Sequence, residues 1–251
     1  MIGHGGSTQG IPAADRPTNG VTRSGEITVS TEGGAIFVEA SGATRGFAQI
    51  GHGGRNLAAP GGANGGTGAI GTSGNITVTG GSVSMEVGLA GTDAFAHIGN
   101  GGSQNVGVHQ GDISVKVTGS IIANGLGSTG GNNAGKYVMI GNGGHRSGVV
   151  INTGGVVAVP GVGGNVSVVG TLRDPTSFNS FGASTTMGGH SGSITVEATN
   201  GDITFMASGS QQGPAQIGHG GSRAHGNHSF TTTSATGTSG LSVKAGGNIL
   251  F

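Results

Sequence analysis

The chain has no cysteine, so it can hold no disulfide framework and no thiolate metal site. A cysteine-free chain is also compatible with a protein that must stay unfolded while it crosses membranes. Charge is scarce: Asp, Glu, Lys and Arg make up 8% of the residues, and ten basic groups balance ten acidic ones. That balance gives no support for nucleic-acid binding through phosphate contacts, nor for a basic membrane-surface patch. No apolar run approaches the roughly 20 residues of a membrane helix. No secretory leader opens the chain, because Met1-Ile2-Gly3-His4 enters directly on a recurring motif. That start is the pattern expected of a segment from a longer repeat protein.

Glycine, in contrast, accounts for 60 of the 251 residues. With so much glycine and no period, disorder would be the expectation. Here the glycines fall in fixed frames. Ile-Gly-His-Gly-Gly occurs at Ile2–Gly6, Ile50–Gly54 and Ile217–Gly221. An Asn form fills the same frame at Ile98–Gly102 and Ile140–Gly144, and a weaker copy stands at Met187-Gly188-Gly189-His190. A second frame, Gly-polar-Ile/Val-Ser/Thr-Val, begins at Gly25, Gly74, Gly111, Gly164 and Gly192, with a clipped form at Gly240. A third follows a few residues later from Gly34, Gly81, Gly119, Gly201 and Gly247. Gly155-Val156-Val157-Ala158-Val159 breaks this order by preceding its Gly164 partner, which implies a strand-bearing insertion there.

Each frame alternates apolar with small polar residues, the period of a strand with one buried face. Three frames in fixed order predict a single domain over residues 1–251: an all-β, right-handed parallel β-helix of about six coils with three short strands per coil. Stacking would place Ile27, Ile76, Ile113, Val166, Ile194 and Leu241 in one interior column. Val29, Val78, Val115, Val168, Val196 and Val243 would form a second, and Ile2, Ile50, Ile98, Ile140, Met187 and Ile217 a third. The stretches from Ser7 to Ser24, Arg55 to Ser73, Ser103 to Gln110, Gly125 to Lys136, His145 to Gly163 and Ser222 to Ser239 read as loops outside the coil.

The stretches Ser73–Ser84 and Phe47–Gly54 carry a likeness. They resemble the repeat regions of filamentous-haemagglutinin-type exoproteins and autotransporter passenger domains, and the likeness extends over essentially the whole chain. The resemblance implies a right-handed β-helix, secretion to the bacterial cell surface, and an adhesive or structural role.

His4, His52, Asn100, Asn142 and His219 occupy equivalent positions, and stacking would make them a structural ladder at a coil turn. Both residue types can bond a turn, whereas only His is a common metal ligand, so the exchange of His for Asn favours structure over metal. A zinc site at His4 and His52, or at His219, His225 and His228, would need further ligands that no neighbouring carboxylate or thiolate offers. The calcium-binding nonapeptide of β-roll repeats is absent, and Asp112 and Asp202 read as turn residues. Glu39, Glu86 and Glu197 read as solvated neighbours of buried columns rather than as a paired catalytic set.

The sequence therefore predicts no enzyme and no cofactor. It predicts a stiff secreted rod that displays Gly/Asn/Ser-rich loops. Its partners would be other copies stacked head to tail, neighbouring repeats of a parent chain, or surface glycans. The alternative is a glycan- or surface-binding module on the same scaffold, with a polysaccharide-degrading enzyme third.

Overall fold

The computed structural model describes residues 1–7, 22–41, 44–55, 71–88, 93–103, 105, 108–125, 136–145, 155–158, 165–168, 190–207, 214–221 and 240–251. These residues form strands and turns with no helix, and all but one of the sheets are parallel. Parallel pairing needs a long return connection. In this chain, each parallel strand's partner is the equivalent strand of the adjacent repeat.

Five parallel sheets follow one another along each repeat. The first stacks Ile27–Ser30, Ile76–Gly80, Ile113–Val117, Ile194–Ala198 and Leu241–Ala245. The second stacks Ala35–Ala40, Ser82–Val87, Ile121–Gly125, Ile203–Ala207 and Ile249–Leu250. The third stacks Phe47–Ile50, Phe95–Ile98, Tyr137–Ile140 and Ala215–Ile217, and Ile2 joins it by a bridge to Ile50. The fourth is glycine-rich: Gly5–Ser7, Gly53–Arg55 and Gly101–Ser103, continued by bridges through Gly143 to Gly220. The fifth holds Thr22–Ser24, Gly71–Ser73, Val108–Gln110 and His190–Ser191.

The three expected frames are the first three sheets. The fourth joins the Gly-Gly end of the recurring pentapeptide to the first residue of the following expected loop, and most of the fifth lies inside stretches expected to be loops. Thr22–Ser24, Gly71–Ser73 and Val108–Gln110 are strands, and they lack the apolar alternation by which a strand is recognised. The expected count of about six coils rests on residues that the described sheets only partly include. Ile113 pairs directly with Ile194, and Ile140 with Ile217, so the described sheets are at most five levels deep. Val166 belongs instead to an antiparallel hairpin of Gly155–Ala158 with Asn165–Val168, opposite Val157. Alternation of Val with Ser suits any half-buried strand, so pattern alone does not separate a hairpin from a solenoid level. Met187 lies outside the described residues.

The first three sheets enclose one aliphatic core. Ile76, Ile113 and Ile194 stack in register, as do Val78, Val115 and Val196, and all are almost without exposure. Val83, Met85, Ile121 and Phe205 join from the second sheet, and Ala96, Ile98, Val138 and Ile140 from the third. Each fully buried Val or Ile contributes about 1.5 to 3 kcal/mol. The outer face of the second sheet mixes polar residues with exposed Phe37, Ile122 and Met206, and Ala35–Ala40 alternates exposed and buried along its length. The third sheet is different, because every residue of Phe95–Ile98 and Tyr137–Ile140 is buried. Its second face packs into a separate cluster in which Phe47, Phe95 and Tyr137 stack with centroids 5.1 and 4.9 Å apart.

Candidate functional site

The recurring pentapeptide forms the corner between the third and fourth sheets. Its Ile ends a strand of the third sheet. The following glycine adopts positive φ, between 147° and 155° at Gly51, Gly99, Gly141 and Gly218. A Cβ on Gly99 would stand 1.9 Å from the Gly141 carbonyl oxygen, so the levels can approach this closely only without a side chain.

The next residue turns inward, and the five of them form a continuous hydrogen-bonded series. The His4 N–H donates to His52 Nδ1 at 3.0 Å, and the His52 N–H to Asn100 Oδ1 at 3.1 Å. The Asn100 N–H donates to Asn142 Oδ1 at 3.0 Å, and the Asn142 N–H to His219 Nδ1 at 3.1 Å. Four of the five side chains, those of His52, Asn100, Asn142 and His219, also reach across the coil to the glycine that precedes the first sheet. Asn100 Nδ2 donates to the carbonyls of Gly74 (2.7 Å) and Gln110 (3.0 Å), and Asn142 Nδ2 to those of Gly111 (2.7 Å) and Ser191 (2.9 Å). His52 Nε2 lies 2.9 Å from the Gly25 carbonyl, and His219 Nε2 2.9 Å from that of Gly192.

This geometry explains why His and Asn exchange. A backbone N–H can only donate, so Nδ1 of His52 and His219 must accept, and the ring proton sits on Nε2 facing a carbonyl. The neutral imidazole thus presents the same acceptor and donor as the Asn amide. Burial lowers the His52 pKa below its ordinary value. The Gly25 carbonyl opposes that shift, and His4 reinforces it. His4 is the exposed end of the series, its ring 5.1 Å from that of His52 and tilted by 52°.

The ladder stands at a neck. The chain leaves the aliphatic core beside it, runs through the fourth and fifth sheets, and returns at Gly25, Gly74, Gly111 and Gly192. The sheets beyond the neck make a second lobe with a different filling. His97, His109, His145, His190 and Arg55 are buried there. His109 and His190 stack in the fifth sheet at 5.0 Å, and Thr72 Oγ1 lies 2.8 Å from His109 Nδ1. His97 Nε2 is 2.6 Å from the Gly141 carbonyl. Arg55 donates to the Asp93 carbonyl at 2.7 Å and to its carboxylate at 3.1 Å. Burial raises the Tyr137 phenol far above its ordinary value. The glycines of the fourth sheet make room for these rings, since a Cβ on Gly143 would meet His190 Cδ2 at 2.7 Å. Sequence reasoning passed over this lobe. Its one signal is a polar residue, Gln49 or His97, between apolar neighbours at the same position of successive Ile-Gly frames.

Both nitrogens of His52 and of His219 face hydrogen-bond partners, which leaves neither ring a lone pair for a metal. Among the described residues no group of three or more His, Asp and Glu converges as a metal site, and His225 and His228 lie outside those residues. Asp112 and Asp202 serve turns: Asp112 accepts from the Ser193 N–H at 2.8 Å and Asp202 from the Asn248 N–H at 2.6 Å. Glu39 and Glu86 lie in register on the outer face of the second sheet, and Glu197 lies between Lys116 and Lys244 on the first. No helix of the described residues is long and apolar enough to cross a membrane. No family model, no curated protein and no solved structure matches this chain.

Proposed function

We propose that the chain is a structural and adhesive segment of a secreted bacterial cell-surface protein. On this reading it is a rod wound as a right-handed β-helix, of the kind found in filamentous-haemagglutinin-type exoproteins and autotransporter passengers. The hand follows the general rule for parallel crossovers. The observation that carries the reading is the level-to-level bonding. Sheets and ladder tie every repeat to the next, giving a stiff axis. The stretches that the sequence marks as loops fall at two points in the order of the sheets. Residues 8–21, 56–70 and 222–239 follow the fourth sheet, and 126–135 and 208–213 follow the second. A solenoid with insertions at fixed coil positions displays them along one side, where such proteins bind. The strand edges of the first and fifth levels, with exposed Ile2 and Leu250, would be covered by further repeats of a parent chain or by a second copy stacked head to tail.

The test is adhesion of beads coated with the chain to host-cell and abiotic surfaces, before and after residues 56–70 and 222–239 are replaced by short Gly-Ser linkers. Adhesion lost with far-ultraviolet circular dichroism retained is the expected result. Adhesion unchanged by both replacements would overturn the display role. One observation favours a glycan-binding reading: Thr28, Thr77, Ser114, Thr195 and Ser242 form an outward row of five hydroxyls in register. A glycan array with the T77A/S114A/T195A variant as control tests it, and signal equal in both proteins would remove it.

A further inference from the structure

The second lobe concentrates groups that take up protons and holds little to balance them. His97, His109, His145 and His190 are each at most 1% exposed. The His109 and His190 rings stack, and His97 stands edge-on to Tyr137 with centroids 6.0 Å apart. His97 is near enough to His109 that charge on it disfavours charge on His109. The other charged groups facing this space are also mostly cationic. Arg55 is paired with Asp93, and Lys136 lies away from this space, at the end of the second sheet, where its Nζ donates to the Gly88 carbonyl at 3.2 Å. Arg23 begins the column that continues through Thr72 and His109 to His190. Arg45 lies outside, exposed, and its charge acts on Arg55. Across the neck stand the ladder residues His52 and His219. Asp93 is the one carboxylate among the groups named here.

We propose that this lobe is an acid-sensitive element: protonation of its buried histidines separates the fourth and fifth sheets from the third and uncovers the Phe47, Phe95 and Tyr137 column, while the aliphatic core stays folded. That core is lined by residues none of which titrates. Burial holds His97 and His109 at about 4, against an ordinary 6.5. An opened lobe therefore binds more protons than a closed one between those values. The lobe's stability is fully present above the ordinary histidine value and falls as the pH drops from there to about 4.

Composition supplies a reporter, because Tyr137 is the only tyrosine and there is no tryptophan. The near-ultraviolet circular dichroism of tyrosine thus reads the lobe alone, and the far-ultraviolet signal reads the sheets. Acidification from pH 7 is expected to remove the tyrosine signal while most of the far-ultraviolet signal remains. H97Q/H109N is expected to move that transition to lower pH by about half a unit or more, and His4→Asn, at an exposed ring, to leave it in place. Loss of both signals at one midpoint, retention of both to pH 4, or an unmoved midpoint in H97Q/H109N would overturn the proposal. Should that variant fail to fold at neutral pH, proton uptake by the wild-type chain decides. Net uptake coincident with the tyrosine transition supports the proposal, and a transition without uptake refutes it.

Discussion

Two regions built on the same stacking rule differ in almost everything that fills them. Within the first three sheets, like aliphatic side chains repeat level after level: Ile76 over Ile113, Val78 over Val115. Beyond the neck, the column through the fifth sheet changes from Arg23 to Thr72 to His109 to His190. The backbone ladder is indifferent to this change, because parallel main-chain bonding asks nothing of side chains except that they fit. What differs is how each region tolerates change. An aliphatic core loses a transfer and a cavity term when it is truncated. The polar lobe loses specific partners, and it responds to pH. The ladder belongs to neither, and it holds the boundary between them.

Four substitutions, most of them at one level, sharpen this contrast. The largest effect is expected from Ile113→Ala in the aliphatic core, about 2 to 5 kcal/mol by urea denaturation, with the tyrosine and far-ultraviolet signals lost together. A tyrosine signal that survived loss of the sheets would break the picture of the core as the foundation of both regions. Asn100→Leu comes next, at about 2 to 4 kcal/mol. It removes the acceptor of the buried His52 N–H and the donor to the half-buried Gly74 carbonyl. Its expected signature is earlier loss of the tyrosine signal, since the neck opens before the core melts. His52→Asn should cost less than about 1 kcal/mol, because an amide supplies the same acceptor and donor. A cost equal to that of His52→Leu would show that the imidazole is needed for itself. Ser114→Ala, on the outward hydroxyl row, should fall within about 0.5 kcal/mol of wild type.

The aliphatic region was legible in the sequence because its chemistry is periodic. Ile27, Ile76, Ile113, Ile194 and Leu241 were placed in one column by their frames, and they pair in that order. Val166 carried the same frame into an antiparallel hairpin, since local alternation does not say which strand is the neighbour. The five ladder positions were visible as a motif. Their second set of bonds, across the coil to Gly25, Gly74, Gly111 and Gly192, was not, because it depends on where the chain returns after an insertion. The polar lobe was hidden for a related reason. Gly53-Gly54-Arg55 and Val108-His109-Gln110 look like loop sequence, and only the close approach of neighbouring levels turns them into strands. His97 and His109 sit in frames where other levels hold Gln49 and Thr72, so no single column announced a histidine cluster.

The central claim is that His52 and His219 act as neutral acceptors in a ladder that joins the levels and closes the neck. The most direct measurement is the tautomer of each ring at pH 7, read from long-range proton–nitrogen correlation spectra of the nitrogen-15-labelled protein. The account predicts the Nε2–H tautomer at both positions, with Nδ1 shifted as a hydrogen-bond acceptor from the N–H of His4 and of Asn142. An Nδ1–H tautomer or a charged ring at either position would contradict it.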